Sequence, residues 1–167
     1  MEDAIRNEIL GAPQLRLVGP VDEAMYNEFR NQLAAAPQEG VLVIAITTLG
    51  GNPEIARAMA DDVRLIREAG RKIYFLGKAA VYSAGATFMA GFPIELRVFT
   101  AGSSLLLHER QITRTINLSG PLRSCTAQLK AALNEIEHSI DIEDSGFRDI
   151  VEGSEVDFEE LRKKAPD

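Results

Sequence analysis

The first half of the chain alternates short apolar runs with segments of helical periodicity. The runs cover residues 15–18, 41–46 and 73–76, and each of them has the length of a strand. The middle run is rich in β-branched side chains, which is typical of a strand that is buried on both faces. The sequence therefore predicts three buried strands, the last of which ends at Gly77.

The two segments between these runs have the apolar spacing of helices. In the first segment, Met25, Phe29 and Leu33 recur at every fourth position after Asp22, a good N-cap residue. The second segment opens with Asn52 as its N-cap. Its apolar face consists of Ile55, Met59, Val63 and Ile66. A β-α-β-α-β order implies right-handed crossovers, so we predict an α/β fold with a mainly parallel sheet.

The second half of the chain has a different pattern. A helix is predicted from Ser83 to about Ala90, and short strands are predicted at residues 96–99 and 104–107. Residues 111–118 alternate polar and apolar side chains, which predicts an extended, half-exposed segment.

A long amphipathic helix is predicted after Gly120, and a short last helix is predicted at residues 157–164. The apolar stripe of the long helix consists of Leu122, Thr126, Leu129, Leu133, Ile136 and Ile140. A long helix that is remote from the sheet favours self-association over a second core.

The composition narrows the classes of function. The chain has 167 residues and a formal net charge of −7, so we expect one domain without a basic surface for nucleic acid or anionic lipid. No apolar run is long enough to cross a bilayer, and the charged N-terminus lacks a signal-peptide core. A single cysteine, Cys125, fits a reducing compartment. We therefore expect a cytoplasmic protein with no nucleic-acid or membrane partner.

Ser83 is the first candidate for chemistry. It begins a predicted helix, where the helix dipole favours a nucleophilic Oγ and the N–H of Ala84 can bind an oxyanion. Gly51 lies in a Gly-Gly turn before a helix and can present a second N–H donor. The alternatives are an N-cap serine and an ordinary tight turn. The nucleophile motif G-x-S-x-G is not met, because position 81 is Val81.

His108 follows an apolar run and is the candidate general base, with a packed structural histidine as the alternative. The other histidine, His138, is predicted on the polar side of the long helix. Two histidines and one cysteine make no convincing zinc site, so we expect no metal. Cys125 is expected to be inert, since no base is predicted beside it.

The sequence resembles the proteolytic subunit of the Clp protease (ClpP) and ClpP-like serine peptidases, which share the crotonase-type fold. LRLVGPVDEAMYNEFRNQL is similar to the family's first strand, Gly-x-Val-Asp/Glu turn and first core helix. TTLGGNPEIARAMADDVR is similar to its S-P-G-G segment, and YSAGATFMAGFPIELRVFTAGSSLLLHE to the segment that carries nucleophile and base. The resemblance covers Leu15 to Glu109, and the interval between Ser83 and His108 agrees with the family's.

The resemblance implies repeated β-α-β units with a mainly parallel sheet, plus a handle made of a strand and a long helix. It implies that Ser83 is the nucleophile, that His108 is the general base, and that the N–H groups of Gly51 and Ala84 form the oxyanion hole. We expect one ClpP-like domain over residues 1–167, with its core at about 14–109, its handle at about 110–152 and a C-terminal helix at about 157–165.

The third member of the implied catalytic triad follows Gly153-Ser154 in the family pattern, which here points to Asp167. Asp149 and Asp144 are the alternatives, although both fit a solvated helix face. Two other departures are Leu49 in place of the S-P-G-G proline, and a Gly-x-Ala segment two residues further upstream of the serine. The second departure predicts a longer loop before Ser83.

The implied function is that of an ATP-dependent-type serine endopeptidase subunit, without cofactors, that forms a homo-oligomeric ring and hydrolyses peptides or unfolded polypeptides. The family also works with an ATPase unfoldase, but the short N-terminus predicts reduced docking loops. One alternative is a crotonase-type acyl-CoA hydratase, isomerase or thioesterase, although no acidic residue flanks Ser83. Another is a catalytically silent ring-forming scaffold.

Overall fold

The computed structural model describes Glu8 and residues 10–165. The strands are β1 (Leu15–Val18), β2 (Leu42–Thr48), β3 (Ile73–Tyr82), β4 (Arg97–Phe99) and β5 (Ser104–Leu106). The helices are α1 (Glu23–Ala35), α2 (Pro53–Glu68), α3 (Ala84–Met89), α4 (Leu122–Val151) and α5 (Phe158–Lys164), with a 3₁₀ turn at Ile94–Leu96. The predicted order of elements is therefore confirmed, except for the strand of the handle.

All strand pairs in the sheet are parallel, which confirms the predicted fold class. The order is β1-β2-β3-β4, and β5 pairs with the C-terminal part of β3. β3 is thus the central strand, with β4 beside its first half and β5 beside its second half. Because the strands are parallel, the segments that follow β2, β3 and β5 gather at one edge of the sheet.

The predicted end of β3 at Gly77 and the predicted loop before the serine are wrong. The strand continues to Tyr82, and the extra residues form a bulge within it. Ile46 of β2 pairs with Gly77, but two positions further along β2 the partner is Val81, four positions further along β3. Ala79 in this bulge has a positive φ of 58°. A bulge accommodates extra residues while keeping the strand paired on either side.

The core lies between the sheet and helices α1, α2 and α3. Its largest members are Phe29, Phe75, Phe88 and Phe92, which are almost completely buried. The ring centroids of Phe75 and Phe92 are 5.3 Å apart, and so are those of Phe88 and Phe92, in edge-to-face geometry. Since Phe88 belongs to α3, this cluster fixes the short helix that follows Ser83.

The long helix α4 is anchored to the core near its C-terminal end. The Arg97 guanidinium donates hydrogen bonds to the carbonyl oxygens of Ile150 (2.5 Å) and Asp149 (2.9 Å), and Phe147 is buried. The apolar side chains that remain exposed along the helix are Leu122, Leu129, Leu133, Ile136 and Ile140. None of the helices among the described residues is long and apolar enough to cross a bilayer.

Residues 107–119 form no regular element, and Ile112, Ile116 and Leu118 in this segment are exposed. The strand that the resemblance implies for the handle is therefore not formed at residues 111–118. A strand requires a neighbour for its backbone groups, and no described segment pairs with this one.

Candidate active site

Ser83 occupies a sharp turn between β3 and α3. Its backbone has φ 53° and ψ −114°, a region that non-glycine residues rarely adopt. Its N–H donates to the Leu106 carbonyl oxygen at 2.8 Å, and its own carbonyl accepts from the Ala86 N–H at 2.8 Å. The main chain of Ser83 is therefore held from both sides. A strained serine on a strand-to-helix turn is the geometry of a nucleophile elbow.

The space for this turn is provided by two glycines. A Cβ atom on Gly50 would lie 2.9 Å from Ser83 Cβ, and a Cβ on Gly85 would lie 2.5 Å from Thr48 Cγ2. The space therefore comes from Gly85, two residues after the serine, and from Gly50 at the end of β2. The sequence motif is not met because it requires a glycine at position 81. Here the second glycine is Gly50, in the turn after β2.

Gly51 lies in an extended turn that packs on the backbone of Val21. The Val21 N–H donates to the Gly50 carbonyl oxygen at 2.9 Å, and the Asn52 N–H donates to the Val21 carbonyl oxygen at 2.7 Å. These bonds leave the Gly51 N–H on the other side of the turn. Within the described residues, neither the Gly51 N–H nor the Ala84 N–H makes a hydrogen bond, so both are free to bind an oxyanion.

His108 is half-buried and follows β5. Its Nδ1 lies 2.6 Å from the carbonyl oxygen of Glu109. With the proton on Nδ1 this contact is a hydrogen bond, and Nε2 is then left as an acceptor, which is the form that a general base requires. Among the described residues, no hydrogen bond joins His108 to Ser83.

The two alternative carboxylates for the third catalytic position are paired with arginines. Asp149 accepts from Arg64 at 2.8 Å, and Asp144 accepts from Arg162 at 2.9 Å. Neither carboxylate accepts a hydrogen bond from His108. Asp167, the residue predicted for this position, lies outside the described residues.

One cleft of about 870 Å³ joins the candidate residues. Gly51, Ser83, Ala84 and His108 all line it, between the core and the C-terminal half of α4. The apolar part of its wall includes Ile112, Ile136, Ile140, Phe147 and Ile150. The structure thus brings together four of the five predicted site residues. His138 is exposed on α4, and neither it nor Cys125 lines the cleft.

Two ion pairs of Glu54 lie next to the candidate oxyanion turn. Glu54, in the first turn of α2, accepts from Arg57 at 2.8 Å and from Arg110 at 2.7 Å. Partial burial tends to raise the pKa of Glu54, but the Arg110 and Arg57 guanidiniums outweigh it and hold that pKa below its ordinary value. Glu54 is therefore ionised at neutral pH, and the pair with Arg110 is intact there.

The fold is the ClpP-like α/β fold that the sequence predicts: a mainly parallel sheet, flanking helices and a long helix near the C-terminus. A solved structure of a ClpP1 mutant from Listeria monocytogenes has this fold, with a TM-score of 0.71 and 16% sequence identity. The match covers 98% of this chain and 84% of that one. No family model and no curated protein matches the chain. The likeness therefore shows the fold, and the function has to be argued from the site.

Proposed function

We propose that the protein is a ClpP-like serine endopeptidase subunit that hydrolyses peptides or unfolded polypeptides through an acyl-enzyme at Ser83. The observation that carries this proposal is the strained turn at Ser83, which lies in one cleft with His108 and with two free N–H groups. Backbone strain of this kind persists only where the surrounding structure holds it, and it is concentrated at functional sites.

In the proposed reaction, Ser83 Oγ attacks the scissile carbonyl while His108 Nε2 takes the hydroxyl proton. The N–H groups of Gly51 and Ala84 bind the oxygen that becomes negative in the tetrahedral intermediate. His108 then donates the proton to the leaving amine, and the C–N bond breaks to leave an acyl-serine. Water attacks the acyl group by the same steps and releases the second product with free Ser83.

The Glu109 carbonyl supports this role of His108, because it holds the tautomer in which Nε2 accepts a proton. A carbonyl carries no full charge, so it stabilises the imidazolium less than a carboxylate would. We therefore retain Asp167 as the predicted third member of the triad.

The substrate is proposed to bind as an added strand. Residues 107–112 line the cleft without a partner strand among the described residues, so the backbone groups there that no side chain occupies can pair with an extended peptide. The apolar wall of the cleft favours apolar side chains next to the scissile bond.

The exposed apolar stripe of α4 outside the cleft, which consists of Leu122, Leu129 and Leu133, is proposed to join copies of the chain into a homo-oligomeric ring assembly. Substituting Leu133, a little more than half exposed, with glutamate places a charge in that interface. We expect Leu133→Glu to weaken each contact by about 2 kcal/mol or more and to lower the molar mass measured by light scattering. Gln128→Glu adds the same charge to the same helix outside the stripe, and should leave the mass unchanged. Equal masses for wild type and Leu133→Glu would contradict this part of the proposal.

The proposed function is tested by covalent labelling. A fluorophosphonate probe is expected to modify wild-type protein at Ser83, as identified by peptide mapping, and to leave Ser83→Ala unlabelled. Ser103→Ala, which removes a serine hydroxyl outside the cleft, should label like the wild type. Labelling that persists in Ser83→Ala would refute the nucleophile. A folded oligomer that resists the probe would favour a silent scaffold, the alternative supported by the lack of a Ser83–His108 hydrogen bond among the described residues.

A further inference from the structure

Arg110 has contacts that the proposed chemistry does not use. It lies two residues after His108, in a segment without regular structure. Its guanidinium donates to the Glu54 carboxylate at 2.7 Å, across 56 positions of sequence. Its main-chain N–H donates to the Glu143 carboxylate on α4. Arg110 is therefore held by two other parts of the molecule.

Glu54 is firmly joined to the candidate oxyanion turn. It lies three residues after Gly51, in the first turn of α2, and its N–H donates to the Asn52 side chain at 2.8 Å. Asn52 in turn donates its own N–H to Val21 at 2.7 Å. The Arg110–Glu54 ion pair therefore connects the segment that carries the candidate base to the turn that carries a candidate oxyanion donor.

The Arg110–Glu54 ion pair is too exposed to contribute much to the stability of the fold. The Arg110 and Glu54 side chains are 26% and 56% exposed, and ion pairs of this kind contribute little to the free energy of unfolding. The ion pair can nevertheless fix the position of the segment after His108, because the backbone there has no strand or helix hydrogen bonds to do so. A small displacement of a catalytic group lowers a rate far more than it lowers stability.

We propose that Arg110 is a positioning residue, whose ion pair with Glu54 sets the distance between His108 and the oxyanion turn at Gly51. This inference rests on the proposed peptidase function. The pair holds the base segment against the first turn of α2, so that the imidazole and the Gly51 N–H act on the same carbonyl. The bond from the Arg110 main chain to Glu143 is independent of the side chain, and it survives substitution of the arginine.

The test measures steady-state hydrolysis of a fluorogenic peptide together with thermal unfolding. Arg110→Ala is expected to lower kcat about tenfold, with KM changed less than about threefold. The midpoint of thermal unfolding should stay within about 2 °C of the wild type. Arg110→Lys, which keeps the charge within reach of Glu54, should recover most of the lost kcat. Arg30→Ala is the matched control, because Arg30 lies on α1 over the Tyr26 ring and outside the cleft.

A double-mutant cycle separates the pair from its individual members. Glu54→Gln should reproduce the loss of kcat seen in Arg110→Ala, and the double variant should be no slower than either single one. Losses that multiply in the double variant would overturn the inference, and so would a wild-type kcat in Arg110→Ala. A drop in kcat that is matched by a large loss of thermal stability would also overturn it, in favour of a structural role.

Failure of this inference can be distinguished from failure of the proposed function. If the wild type is labelled at Ser83 and Arg110→Ala turns over at the wild-type rate, the peptidase function stands and only the positioning role is lost. If the folded wild type neither labels nor hydrolyses peptide, the proposed function fails and the inference fails with it.

Discussion

Replacing His108 with alanine is expected to lower kcat for peptide hydrolysis by about 10⁵- to 10⁶-fold, with little change in KM. The proposed role of the imidazole explains this size, since Ser83 Oγ is a weak nucleophile until a base takes its proton. The contact of Nδ1 with the Glu109 carbonyl leaves Nε2 as the atom that does so. The measurement is the initial rate of peptide cleavage at saturating substrate.

His138→Ala provides the matched control for this substitution. His138 is exposed on α4 and does not line the cleft, so its loss should leave kcat unchanged. If His108→Ala retained more than about a tenth of the wild-type rate, the cleft histidine could not be the base. Equal losses in the two variants would instead point to an indirect effect on folding or assembly.

Substituting Gly51 with alanine is expected to destabilise the protein by about 3–5 kcal/mol and to abolish hydrolysis. The new Cβ would lie 2.3 Å from the Val21 carbonyl oxygen and 2.7 Å from the Val21 nitrogen, atoms of a hydrogen-bonded backbone that cannot easily retreat. The backbone φ of 147° adds strain for any residue with a side chain. The free energy of unfolding is measured by urea denaturation.

Gly70→Ala separates the steric clash from the backbone strain. Gly70 also has a positive φ, 92°, but a Cβ there would meet nothing within 4 Å. We expect Gly70→Ala to lower the free energy of unfolding by about 1 kcal/mol and to leave the rate of hydrolysis unchanged. A similar loss of unfolding free energy in Gly51→Ala and Gly70→Ala would contradict the close packing of Gly51 on Val21. It would also contradict the geometry of the oxyanion turn.

The period of the apolar side chains predicts most of the fold. Short apolar runs and the four-residue spacing of Met25, Phe29 and Leu33 are local signals, and they correctly predict the β-α-β-α-β order. The extension of β3 beyond Gly77 is not a local property. Lys78 to Ala80 have the composition of a loop, and they lie in the strand because β5 pairs with the chain from Ala80 onward and β2 pairs with Val81.

Site residues that follow strand ends are predictable from the sequence, whereas contacts between residues distant in sequence are not. Ser83 and His108 follow strand ends, so their entry into one cleft could be expected. The sequence motif does not reveal the nucleophile elbow, because one of its two glycines, Gly50, lies in the turn after β2. The pairing of Asp149 with Arg64 spans 85 positions, and no sequence signal indicates it. Asp167 stays a prediction for the third catalytic position.

The most direct test of the central claim is a crystal structure of the protein after reaction with a fluorophosphonate. We predict a phosphonyl group bonded to Ser83 Oγ, with its oxygen about 2.7–3.1 Å from the N–H nitrogens of Gly51 and Ala84 and with the His108 imidazole beside it. A phosphonyl group on another residue would contradict this account. An adduct at Ser83 whose oxygen faces away from both amides, with His108 on the opposite side of the sheet, would contradict it equally.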